Sequence, residues 1–297
     1  MRNLKKSIKR RWDKASTQLC KLIYGHLKPS AMIIGAQKSG TTAMYKYLSQ
    51  HPDIIPPKIK ELHFFNCDRF FSQGYRKYVE FFPIKTPSTK NKITLDVTPG
   101  YFFSSEKTAK RIFEFNPDLR LILILRDPVY RAFSAWQMYR KYYTKDSEWF
   151  FKWHEERNFG DPYQNYVKRL EYGRSFMDDL QFEVEQSKMG KVAEMSVLGY
   201  GLYSEQLKNF YRYFEKNKII ILTNEDLRKD VSLLLSKVEK HIEIQEFDWE
   251  KADTSPHFEG NYKDEMTIEE VNFLRDYYRG SNKDLREITG LDFNWIC

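Results

Sequence analysis

The stretch Ser30-Ala-Met-Ile-Ile-Gly35, running on into Ala-Gln-Lys-Ser-Gly-Thr-Thr42, constrains the fold of this 297-residue chain more than any other segment. An apolar run that enters a turn with glycines at 35 and 40 predicts a buried strand, a tight loop and a helix over 41–50. His51-Pro52 stops that helix. Amides at the start of a helix, together with its dipole, form an anion site. Lys38 adds a point charge there, and the hydroxyls of Thr41 and Thr42 add donors. Nucleoside-triphosphate loops place two glycines five residues apart and follow the second with Lys-Ser/Thr. Here Gly35 and Gly40 keep that spacing, but Thr41 follows Gly40 and the lysine lies inside the loop. The alternative reading is a tight glycine turn that binds nothing.

Further along, apolar runs alternate with helical patterns. Residues 92–98 and 219–222 read as strands, and Leu119 to Leu125 reads as a fully buried one. Helices are predicted over 104–115 and 204–215, with a further helix opened by an Asp127 cap and Pro128. Residues 145–190 read as helical with loops, and two closing helices are predicted over 267–279 and 282–289. Continuous apolar strands between helices predict an α/β fold. Its core is a P-loop-type, doubly wound parallel sheet flanked by helices in a single domain. Ligands on such sheets bind beyond the carboxyl ends of the strands.

Charge divides the chain into two parts. The formal net charge is +8, yet nine of the 49 Lys and Arg residues and only one acid lie in residues 1–30, which leaves the remainder balanced. Residues 1–28 therefore read as a basic arm and 29–297 as the domain. A neutral domain does not supply the basic stripe that nucleic acid requires, so nucleic acid is not expected as a partner. Leu4, Ile8, Trp12, Ala15, Leu19 and Leu22 share one helical face of the arm. That face either packs on the domain or makes peripheral contact with an anionic membrane surface. No apolar run approaches the roughly 20 residues of a bilayer-spanning helix, and no signal-peptide core follows the basic start. Three cysteines, Cys20, Cys67 and Cys297, form no CxxC pair, which fits a reducing compartment and argues against a disulfide scaffold.

Two more motifs carry chemistry. Leu121 to Leu125 leads into Arg126-Asp-Pro, with Ser134 eight residues after the arginine. An arginine at a strand's carboxyl end points toward the ligand crevice, and its guanidinium suits a phosphate or an ion pair. In Lys60-Glu-Leu-His63-Phe-Phe65, Glu61 and His63 fall on one face of an extended segment and suit proton abstraction. A solvated glutamate and a packed histidine are the plain alternative. Trp149 and Trp153 are candidates for a wall that stacks on sugar rings, or for the buried face of a helix. The other histidines have no paired partner in sequence.

In this order, the loop 35–42, Lys60 to Phe65, Asp96-Val-Thr-Pro-Gly-Tyr101, Leu125-Arg-Asp-Pro128 with Ser134, and Tyr200 to Leu207 resemble the sulfotransferases that use 3′-phosphoadenosine-5′-phosphosulfate (PAPS). The resemblance spans about residues 30–295 and is strongest to the heparan sulfate N- and 3-O-sulfotransferase branch and its bacterial relatives. It implies that Lys38, Ser39, Gly40, Thr41 and Thr42 hold the 5′-phosphosulfate. Arg126 and Ser134 would hold the 3′-phosphate. Glu61 would be the general base, His63 its assistant, and Lys38 the stabiliser of the leaving oxygen. PAPS would be the co-substrate, 3′-phosphoadenosine-5′-phosphate (PAP) the product, and a carbohydrate, glycan or glycolipid, the acceptor. No metal is implied. The heparan-modifying members carry a lysine where this chain has Val97, which argues against strict heparan specificity. A cytoplasmic location is expected. The competing functions are a nucleotide-phosphate kinase or NTPase built on the same loop, and a non-catalytic anion-binding scaffold built around the arm.

Overall fold

The computed structural model of the protein describes residues 25–148, 175–190, 196–255 and 264–295. Its frame is a parallel four-stranded sheet: β1 (Ala31–Gly35), β2 (Leu95–Val97), β3 (Arg120–Leu125) and β4 (Ile219–Thr223), in the order β2-β1-β3-β4. Between β1 and β2 lie α1 (Thr41–Leu48), α2 (Asp68–Phe71) and α3 (Tyr75–Val79). Between β2 and β3 lie α4 (Gly100–Phe103) and α5 (Ser105–Phe115). The described part of the β3–β4 connection holds α6 (Pro128–Lys145), α7 (Phe176–Lys188) and α8 (Tyr203–Tyr211). After β4 come α9 (Asn224–Lys229), α10 (Val231–Ile242) and α11 (Ile268–Thr289).

Side chains alternate along a strand, and here both sets are buried. Met32, Ile34, Leu121, Leu123 and Leu125 enter one core with Ala109 and Ile112 of α5 and Leu207 and Phe210 of α8. Ala31, Ile33, Ile122 and Ile124 enter a second core with Ala43 and Met44 of α1 and Leu234, Leu235 and Val238 of α10. Helices therefore cover both faces, which is why these strands read as unbroken apolar runs. The chain leaves β1 for β2 on one side and returns to β3 on the other. The order thus reverses between β1 and β3, and such a reversal opens a crevice at their carboxyl ends.

Local chemistry fixes the elements that flank this crevice. Gly35 ends β1 under Phe102 of α4: a Cβ at position 35 would lie 2.5 Å from the Phe102 Cβ. Helix α6 begins as the sequence predicts, with Asp127 accepting from the Val129 amide at 2.9 Å and Pro128 in the first turn. Arg275 of α11 reaches Asp127 at 2.7 Å and ties the last helix to this corner. Among the described residues, no helix is long and apolar enough to cross a membrane.

Two sequence expectations need correction. The closing helices predicted over 267–279 and 282–289 are one helix, α11. A glycine in a helix interior costs about 1 kcal/mol relative to alanine. Gly280 and Ser281 nevertheless do not break α11, because Ser281 Oγ meets Ser204 Oγ at 3.0 Å and Asn282 is buried. The strand predicted over 92–98 shrinks to Leu95–Val97. Ile93 instead pairs outside the sheet, donating to Asp53 O at 2.9 Å and accepting from the Ile55 amide at 2.9 Å.

Candidate active site

The loop between β1 and α1 is held at successive residues. Tyr139 of α6 donates to Gln37 Oε1 at 2.8 Å, Arg126 Nη1 donates to Lys38 O at 3.3 Å, and Asn224 Nδ2 donates to Ser39 O at 3.2 Å. Lys38 has φ 67° and Gly40 φ 97°, both left-handed. A Cβ at Gly40 would stand 2.8 Å from Asn224 Nδ2, so glycine is required there for space as well as for conformation. Gly40 caps α1 without a side-chain hydrogen bond. The first-turn amides, Thr41 and Thr42 among them, therefore keep their donors for a ligand. Ser39 is wholly buried and its hydroxyl faces Tyr203.

Arg126 follows β3 directly and meets the loop across the β1–β3 crevice, so the two phosphate-seeking motifs form one site. Ser134 lies on α6, one helical turn before Met138. Residues four apart share a helix face. Met138 Sδ receives Lys38 Nζ at 3.8 Å, which puts Ser134 on the side of α6 turned to the loop. Burial, followed by the charges of Arg126 and Arg131, lowers the Lys38 pKa to about 8. Burial, with Arg228, also lowers that of Arg126, against the opposing charge of Glu225. Cations crowded into a partly desolvated crevice gain when an anion enters. Lys38 and Arg126 thus face one anion-seeking crevice.

Glu61 and His63 come together, although not as neighbours on an extended strand. His63 takes φ 50°, and the bend brings its Nε2 to 3.3 Å from Glu61 Oε2. The two are close but not aligned as a hydrogen bond. Asn66 Nδ2 lies 3.3 Å from His63 Nδ1, so the ring's two nitrogens face Asn66 and the Glu61 carboxylate. The segment is held by its backbone. Thr98 Oγ1 accepts from the Leu62 amide at 3.2 Å, and the Tyr101 hydroxyl accepts from the Phe64 amide at 3.1 Å. Both hydroxyls donate to the buried Asp96, Thr98 at 2.8 Å and Tyr101 at 2.9 Å, and Tyr78 adds a third at 2.8 Å. Burial pushes the Asp96 carboxyl upward, and these hydrogen bonds oppose the shift.

Sequence reasoning singled out Asp96 to Tyr101 as a motif but gave it no task; its task is to mount the segment that carries Glu61. Tyr139 and Asn224 went unnoticed because their partners are distant in sequence, and Lys60 was given no role within its motif for the same reason. Lys60 donates to Thr42 Oγ1 at 2.7 Å. Val97 is buried in β2. Trp149, Trp153 and residues 1–24 of the arm lie outside the described residues.

The sequence matches the sulfotransferase domain family over residues 28–267. The chain is a sulfotransferase. Its similarity to mouse bifunctional heparan sulfate N-deacetylase/N-sulfotransferase 4 is 27% identity over 81% of this chain and 24% of that protein. Mouse heparan sulfate glucosamine 3-O-sulfotransferase 3B1 is 28% identical over 90% of this chain and 65% of its own length. The membrane-associated sulfotransferase kil1 of Dictyostelium discoideum is 26% identical over 99% of this chain and 72% of its own. The sulfotransferase thus spans a quarter to about two thirds of the heparan-modifying relatives. The fold is also that of a crystallised sulfotransferase from Alicyclobacillus acidocaldarius, with TM-score 0.66 and 23% identity over 90% of this chain and 98% of that one. These relatives give a cytoplasmic location no support, since one of them is named membrane-associated.

Proposed function

We propose that this sulfotransferase moves the sulfo group of PAPS in line to a hydroxyl or amine of a carbohydrate acceptor, a glycan or a glycolipid. One observation carries the reading: Arg126 Nη1 lies 3.3 Å from Lys38 O, so the arginine and the phosphate loop serve one ligand. PAPS supplies an activated sulfo group between a 5′-phosphate and the acceptor, and a 3′-phosphate that marks the donor. The loop amides, Lys38, Thr41 and Thr42 hold the 5′ end, and Arg126 with Ser134 holds the 3′-phosphate. Glu61 takes the acceptor proton as the acceptor oxygen or nitrogen bonds to sulfur. Lys38 meets the electron pair left on the phosphate oxygen as the old S–O bond breaks. His63, with Nε2 3.3 Å from Glu61 Oε2, assists the carboxylate. Positioning and charge stabilisation are the main contributions, as in phosphoryl transfer. The named activities of the heparan-modifying relatives support a carbohydrate acceptor.

Thermal unfolding with PAP, AMP and ATP-magnesium tests the donor. PAP should raise the melting temperature most, because only it satisfies both phosphate sites. In Arg126→Ala the PAP shift should fall to that of AMP. Equal shifts by PAP and AMP in the unaltered protein would refute a 3′-phosphate site.

A further inference from the structure

Lys60 has a place in the site that the roles above leave unused. Its ammonium lies between the two reacting sides: Nζ donates to Thr42 Oγ1 of the phosphate loop at 2.7 Å and stands 3.8 Å from Glu61 Oε1. Its side chain is only 17% exposed, and the Tyr45 ring lies beside it, 5.9 Å from Nζ to the centroid. Burial lowers its pKa and Glu61 raises it. An ammonium carries three donors. Here one is spent on a neutral hydroxyl, and the carboxylate stands beyond hydrogen-bond length. A buried cation so placed gains from an anionic oxygen entering between Thr42 and Glu61. An in-line transfer brings such oxygens there, because the sulfo group must pass from the loop toward the base.

We propose that Lys60 is a ligand of the transferring sulfo group. Its ammonium donates to a non-bridging sulfo oxygen and keeps its bond to Thr42. The group is then held between Lys38 on the leaving side and Glu61 on the accepting side. As the acceptor's oxygen or nitrogen bonds to sulfur, its proton goes to Glu61. The S–O bond to the phosphate breaks with its electron pair on the phosphate oxygen, and Lys60 stays protonated throughout. The assignment rests on PAPS being the donor.

Calorimetric titration of PAP and PAPS, without acceptor, into the full chain, Lys60→Met and Lys60→Arg tests it. PAP lacks the sulfo group but fills both phosphate sites, so it reports the loop alone. Lys60→Met should weaken PAPS about tenfold, the loss of one charge-assisted hydrogen bond, and leave PAP within twofold. Lys60→Arg should keep most of the PAPS affinity, which also shows that the site tolerates substitution. Equal losses for both ligands would make Lys60 a buttress of Thr42 and overturn the proposal, as would no change for either. If the unaltered protein bound neither ligand, the PAPS reading itself would fall, a result distinct from both.

Discussion

The phosphate loop is gripped from three directions, by Tyr139 at Gln37, Arg126 at Lys38 and Asn224 at Ser39. Glu61 instead stands on a bend supported through two backbone amides, Leu62 and Phe64, and its side chain is 33% exposed. The donor side is thus built by the sheet and the helices packed on it, whereas the acceptor side is mounted on it through hydroxyls. The contrast makes the proposed donor binding and proton abstraction separable: a change confined to the Glu61 side chain should alter turnover and leave PAP affinity as it is.

Glu61→Gln tests that separation with the largest effect. Removing a general base costs about 10²–10⁴-fold in rate. Sulfation of an acceptor should fall by that factor, while PAP affinity from calorimetry stays within twofold. Parallel loss of PAP affinity would show that the two sides are one unit. Thr98→Val should act more mildly. It strips the Leu62 amide of its acceptor and Asp96 of a donor, a change worth about 1–3 kcal/mol. Turnover should drop about tenfold with PAP affinity kept, and the melting temperature should fall; unchanged turnover would mean that Thr98 does not position Glu61.

The smallest effect belongs to the donor side and to pH. The Lys38 pKa is lowered to about 8. The protonated form attracts phosphate and the neutral form does not, so the Lys38 contribution to affinity is full below that value and lost above it. At pH 9 roughly a tenth of a group with such a pKa stays charged. PAP affinity should therefore fall severalfold between pH 7 and pH 9, and Lys38→Met should flatten the dependence. The same slope in that variant would assign the titration elsewhere.

The donor side was the more legible in sequence, for a physical reason. A strand, a glycine turn and a helix N-terminus are local, and so is the Asp127-Pro128 start of α6. The parts that turn these pieces into a site join residues far apart, such as Asn224 to Ser39 across 185 positions and Tyr139 to Gln37 across 102. Glu61 and His63 were found as a pair, but by way of an extended segment that the structure replaces with a left-handed bend at His63. Lys60 was quoted only as part of a motif, because a lysine beside a glutamate carries no sign that it will reach a threonine 18 residues away. At Gly280 the local preference misled outright, since the helix runs on through it, held at the next residue by Ser281 against Ser204.

Gly35 carries a consequence for how such a chain can diverge. With Phe102 packed against its bare α-carbon, even a methyl group would push on the turn that also carries Thr98 and Tyr101. On the proposed function, nucleotide grip and proton abstraction would share a single hydrogen atom as their spacer. A side chain at that one residue should therefore detune both halves of the proposed reaction together.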